Sequence, residues 1–204
     1  MIIAGAILPH PPIILPEFAP QRGHEVDGTI AAVERACAWL AAYAPERIVI
    51  SSPHLAHGFD VPLSFLAAHL RCLPPLERVL TDHPSYARYR ELGRELRERE
   101  HASTSRTVVV ASGDLSHRLR ENGPYGFHPL GPELDTAILG GLRRADANAL
   151  VAIDPVVVEE GAECGLRSFV FALSALEPAR ADLLSYEGPY GVGYMVATLS
   201  PLEG

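Results

Sequence analysis

Lysine is missing from this chain of 204 residues: its 17 basic side chains are all arginine, set against 25 aspartates and glutamates. The lysine gap is compositional bias and carries no functional content. The formal net charge of -8 matters more, because it removes the general basic footprint that nucleic-acid binding needs. Cysteine is scarce. The three present, Cys37, Cys72 and Cys164, are odd in number and form no CxxC pair. That pattern excludes a disulfide framework and predicts a reducing, cytoplasmic setting. No apolar run reaches the roughly 18–20 residues required to cross a bilayer. Met1 to Leu8 lacks a positively charged leader and its apolar run stops at His10, so it does not read as a signal peptide. Repeats, low-complexity tracts and linkers are absent as well. A hydrophobic content of 48% at this length predicts one globular α/β domain over 1–204.

What is present is a repeated arrangement at the ends of short apolar runs. Thr107 to Val110 breaks through Ser112 and Gly113 and delivers Asp114, Ser116 and His117 (VVVASGDLSH). Met1 to Leu8 runs into Pro9 and His10. Arg47 to Ser52 runs into Pro53 and His54. Short apolar runs ended by turn signals are the pattern of buried parallel strands, and groups released past their C-terminal ends sit where open α/β sheets place sites. Three strand-like runs thus each end in a histidine.

Between them, Val26 to Tyr43 has the helical spacing Ile30, Val33, Cys37, Leu40, and with its flanking strands forms a βαβ-like unit. The prolines of His10 to Pro16 predict a stiff extended loop rather than helix. Val61 to Leu66 reads as a short strand or loop, and Leu76 to Leu80 as a strand. Pro84 to Glu100 reads as an amphipathic surface helix, its alternating Arg and Glu forming a solvated face. Glu121 to Leu130 is a Gly/Pro-rich loop. Helices follow over Gly131 to Arg144, Ala147 to Ile153 (with Asp146 as N-cap) and Glu163 to Leu176. Leu183 to Tyr186 and Gly193 to Leu199 are closing strands.

His10 and His54 are the first candidates for chemistry. Neutral imidazole is the commonest metal ligand, and two of them at neighbouring strand ends can converge on one ion; the plainer reading is that each bonds a backbone carbonyl. A third ligand would come from Gly161 to Gly165. Glu163 would complete a two-His-one-carboxylate face suited to Fe(II), whereas Cys164 would make a softer set suited to Cu or Zn. Against both stand a helix-capping Glu163 and a merely buried Cys164. Asp114 and His117, at i and i+3 in a turn, can pair so that the carboxylate orients the ring for general acid–base work. His128, in the Gly/Pro loop, and Tyr190, in the closing turn, are candidates for substrate contact; His57 has less context. The chain lacks an HExxH motif, which argues against a zinc hydrolase using His117 as base.

The ordered series LPHPP, SPHL, SGDLSH, GAECGLRS and GPYGVGY resembles the class III extradiol ring-cleavage dioxygenase superfamily, LigB-like branch, and the related Memo proteins. The resemblance runs over nearly the whole chain. It implies an α/β fold with a central mixed sheet flanked by helices and one metal at the strand ends. His10 and His54 fall on the family's metal histidines and His117 on its catalytic histidine, while Asp114 matches an aspartate of Memo proteins. The implied partners are a small catechol-type aromatic and O2 at Fe(II), with a homo-oligomer or second subunit as in some members. The third ligand departs from a single pattern. The dioxygenases have a glutamate just before a glycine and Memo proteins a cysteine; here Cys164 precedes Gly165 and Glu163 stands one place earlier. The resemblance therefore implies either ring cleavage at Fe(II) or a Memo-like Cu or Zn protein that binds a peptide or small ligand.

Overall fold

The computed structural model describes residues 1–202. Its frame is a six-stranded mixed sheet built from β1 (Ile2–Leu8), β2 (Arg47–Ser52), β3 (Leu76–Leu80), β4 (Thr107–Ser112), β5 (Ala179–Glu187) and β6 (Tyr194–Pro201), in the order β3-β2-β4-β1-β6-β5. The first four are mutually parallel; β6 and β5 join antiparallel beyond β1. Strand β4 is buried along its whole length and β1 and β2 along most of theirs, which is why they read as continuous apolar runs rather than alternating ones.

Helices cover both faces. On one, α1 (Asp27–Ala42) and α2 (His57–Ala68) pack a core that includes Leu8, Val33, Leu40, Ile50 and Leu66. On the other lie α3 (Tyr86–His101), α4 (Leu130–Arg143), α5 (Ala147–Val151), α6 (Pro155–Gly161) and α7 (Leu166–Leu176), over a core that includes Val109, Leu134, Phe169 and Phe171. The mixed sheet flanked by helices is the architecture expected. Asp146 does cap its helix, accepting from the backbone N–H of Asn148 and Ala149.

Four local expectations change. Pro12–Ile14 and Pro16–Gln21 form 3₁₀ turns rather than extended chain, because proline at the first position of a turn loses only a donor that is unpaired anyway. Val61 to Leu66 lies inside α2, not in a strand. Pro62 disguises the helix: it removes the hydrogen bond to the Gly58 carbonyl, and the Ser112 hydroxyl donates to that carbonyl instead. The chain between α5 and α7 contains α6, opened by Asp154 as N-cap and Pro155 at its first position. Finally, α7 begins at Leu166, not Glu163.

Candidate metal centre

The parallel strands β1, β2 and β4 release their C-terminal ends side by side, and the polar residues that follow them meet there. His10 is buried just past β1. Its Nδ1 lies 2.9 Å from Ser112 Oγ, and its backbone N–H donates to Asp114 Oδ1 at 3.1 Å. Since Ser112 spends its proton on the Gly58 carbonyl, its oxygen accepts from His10, which places the ring proton on Nδ1. The Nε2 lone pair faces inward and accepts from the Cys164 thiol, 3.6 Å away. A second hydrogen bond of this kind is how proteins fix the tautomer of a ligating histidine.

His54 and His57 complete a triangle of imidazoles. The His10 ring centroid is 5.3 Å from that of His54 and 5.5 Å from that of His57, and His54 and His57 are 5.5 Å apart. His10, with 3% exposure, and Cys164, with 6%, form the floor; His54 and His57 are exposed at the rim. The donor atoms of His10, His54 and Cys164 all lie within 4.8 Å of one another, as do those of Asp114, His117 and Cys164. Cys164 belongs to both sets because two glycines let its loop approach β4. A Cβ on Gly113 would meet Gly165 Cα at 2.1 Å, so only a pair without side chains permits that contact.

Burial sets the electrostatics. It drives His10 down to about 3, helped by the neighbouring His54 and His57, so the ring is neutral and its lone pair available. Burial, with the Asp114 and Glu163 charges, holds the Cys164 thiol well above its ordinary value. A cation at this position therefore has to displace the thiol proton. Asp114 is raised to about 6 by burial, against the opposing pull of the His10 N–H and the imidazoles around it. His117 is pushed down by burial and drawn back by Asp114. Its ring stacks on Tyr125, with centroids 5.0 Å apart.

The other sequence candidates have different surroundings. The Glu163 carboxylate accepts the Leu166 backbone N–H at the start of α7 and is absent from the donor groups around His10 and His54. His128 is engaged locally: Nδ1 accepts from the Leu130 N–H at 3.3 Å and Nε2 faces Glu160 at 3.7 Å. The Tyr190 hydroxyl is buried without a hydrogen-bond partner. Sequence reasoning gave too little weight to His57; its spacing of three residues from His54 was the available signal. Tyr125 carried no such signal.

These donors can hold one ion. Two imidazoles and a thiolate make a soft set that fits Zn or Cu. Glu163, the carboxylate expected to complete a two-His-one-carboxylate face, caps α7 and lies outside the group, and the Asp114 carboxylate stands 3.9 Å from His10 Nε2. No helix among the described residues is long and apolar enough to cross a membrane.

Comparisons place the chain among known proteins. It is 28% identical over 264 residues to Protein CA_C1420 of Clostridium acetobutylicum, a match that takes in 95% of this chain and 56% of that protein. The chain thus spans about half the length of this curated relative. The crystal structure of uncharacterized protein JW3007 from Escherichia coli K12 superposes with a TM-score of 0.60 over 97% of this chain and 99% of that one, at 12% identity, which shows a shared fold. Residues 53–197 match the model of the catalytic LigB subunit of aromatic ring-opening dioxygenase. That span includes His54, Asp114, His117 and Cys164, and the chain belongs to the LigB family.

Proposed function

We propose that this chain is a metal-dependent LigB-family protein whose ion is held by His10, His54 and Cys164, and that it acts on a small hydroxylated aromatic of the catechol class. The observation that carries the reading is the convergence of those three donors within 4.8 Å, while Glu163 is tied to α7. The soft set favours Zn or Cu over Fe(II). When bound, the metal supplies Lewis acidity, lowering the pKa of a coordinated hydroxyl.

The chain's own residues do the rest. Ser112 holds the His10 tautomer that points Nε2 inward. His117, kept neutral by burial and with a ring nitrogen within 4.8 Å of the Asp114 carboxylate, accepts a proton from the ligand hydroxyl. Tyr125 backs the His117 ring and shields one of its faces from water. A second reading, ring cleavage at Fe(II), draws support from the family match over 53–197.

Metal reconstitution of the full chain separates the two. Fe(II) (anaerobically), Zn and Cu are offered in turn, followed by metal analysis and oxygen uptake on a panel of catechols. Stoichiometric Zn or Cu lost in Cys164→Ala but kept in Glu163→Ala, without oxygen uptake, supports the soft centre. Stoichiometric iron with oxygen uptake, lost in Glu163→Ala alone, replaces it with the dioxygenase reading. His117→Ala should keep the metal and lose proton transfer; an emptied site would make His117 a ligand instead.

A further inference from the structure

His54 and His57 stand on the turn between β2 and α2, and the backbone around them is held in place. The Ser52 hydroxyl donates to the His54 carbonyl at 2.9 Å and accepts the His54 N–H at 3.1 Å. Gly58 brings the start of α2 onto this strand end: a Cβ there would meet Ser52 Oγ at 2.1 Å and His54 Cβ at 3.1 Å. Between the two histidines, Ala56 takes φ 50° and ψ -112°. A positive φ with such a ψ lies outside the regions open to a residue with a Cβ, and backbone of this kind gathers at binding sites. The side chains are less constrained. Both rings are exposed, and among the described residues neither makes a hydrogen bond or an ion pair.

The spacing of the rings is that of ligands on one ion. Centroids are 5.3 Å apart for His10 and His54, and 5.5 Å for His57 with either of them. With Zn–N bonds of about 2.0–2.1 Å at the tetrahedral angle, imidazoles sharing an ion have centroids roughly 5–5.5 Å apart. His57 is not among the donors that lie within 4.8 Å of one another. Its ring has the distance and lacks the orientation, which rotation of an exposed side chain supplies within nanoseconds. The rival for the position is Asp114, whose Oδ2 is 3.9 Å from His10 Nε2; its Oδ1 is engaged by the His10 N–H. Three imidazoles and a thiolate close a tetrahedral shell, so a ligand that binds through two oxygens has to open it. His57 is the donor most easily released: His10 is bonded to Ser112, Cys164 is buried, and the His54 backbone is held at both ends.

We infer that His57 is the fourth protein ligand of the ion at His10, His54 and Cys164, and that an incoming catechol-type chelator displaces it. The inference rests on the metal centre proposed above and adds a ligand to it.

The test uses the full chain, labelled with nitrogen-15 histidine and loaded with cadmium-113, a soft ion visible by NMR. Each coordinated ring nitrogen is split by the cadmium nucleus. Three split imidazoles are expected, and His57→Gln should remove one while those of His10 and His54 stay. Zinc affinity of His57→Gln, measured by chelator competition, should fall by at least the roughly tenfold lost when an outer partner of a metal ligand is removed. Catechol added to the wild type should abolish the His57 splitting alone. Two split imidazoles, neither lost in His57→Gln, overturn the ligand role and leave the His10–His54–Cys164 centre standing. A third split signal that survives in His57→Gln belongs to another ring and overturns the role as well. Absence of any split imidazole sinks that centre and the inference with it. A His57 splitting that persists with catechol overturns the displacement and makes the ion a closed structural site.

Discussion

Ser112 and His10, on adjacent parallel strand ends, share a hydrogen bond of 2.9 Å between Oγ and Nδ1. That bond exists because Pro62 leaves the Gly58 carbonyl free to take the Ser112 proton. A proline in one helix thus determines which nitrogen of a distant histidine is bare. Ser112→Ala breaks both bonds. Zinc affinity, measured by competition with a chromogenic chelator, should fall about 10–100-fold, as when partners of ligating histidines are removed. Stability should drop by roughly 1–3 kcal/mol from the orphaned Gly58 carbonyl. Unchanged zinc affinity would show that the His10 tautomer is fixed by something else.

Glu163→Gln tests the capping role from the stability side. The amide oxygen still accepts the Leu166 N–H, and it carries no charge into a site where burial pushes the Glu163 carboxyl up to about 7. Urea unfolding at pH 7 and above should show stability equal to or greater than that of the wild type, and Glu163→Ala, which removes the cap, a loss of about 1–2 kcal/mol relative to Glu163→Gln. Zinc stoichiometry should remain at the wild-type level in both.

Gly113→Ala places a methyl group where Gly165 Cα now lies. The strain should cost about 1–3 kcal/mol and push the Cys164 loop away from β4. Zinc binding should weaken along with stability. Gly140→Ala, whose added Cβ meets only Arg144 Nη1 at 3.8 Å, is the control and should leave both unchanged or improved.

Asp135 links pH to the loop that carries His117. Its carboxylate accepts from the Ser116 N–H at 2.7 Å and from the Tyr186 hydroxyl at 2.6 Å. Burial raises it from 3.8 to about 6 despite those bonds. The folded state therefore holds a proton that the unfolded chain has lost. The stability this confers is complete below about pH 4 and gone once pH passes 6. Asparagine can keep both bonds, accepting from Ser116 and donating to Tyr186, without titrating. Between pH 4 and 7, Asp135→Asn should gain roughly 2–3 kcal/mol relative to wild type, read from paired urea midpoints. A difference independent of pH would show that Asp135 is ionised throughout.

The three strand ends, and with them the positions of His10, His54 and His117, were legible because buried parallel strands have one unambiguous signature: a β-branched apolar run, a break, then polar residues. Helix α2 was not, since Pro62 interrupts the helical pattern and its compensating donor, Ser112, lies 50 residues downstream. Nor could spacing decide between Glu163 and Cys164. Which adjacent side chain turns inward depends on where α7 begins, and that is set by Glu163 folding onto the Leu166 N–H.

His10 and Cys164 approach within 3.6 Å although 154 positions separate them along the chain. No local fragment contains the donor set, so an ion bound there is a staple across three-quarters of the polypeptide. Closing so long a loop has already been done by the folded sheet. An ion held there would consequently bind only the native chain and leave when either end of that loop comes apart. Metal occupancy would then report the integrity of the whole fold, and resistance to unfolding would rise with the concentration of free metal.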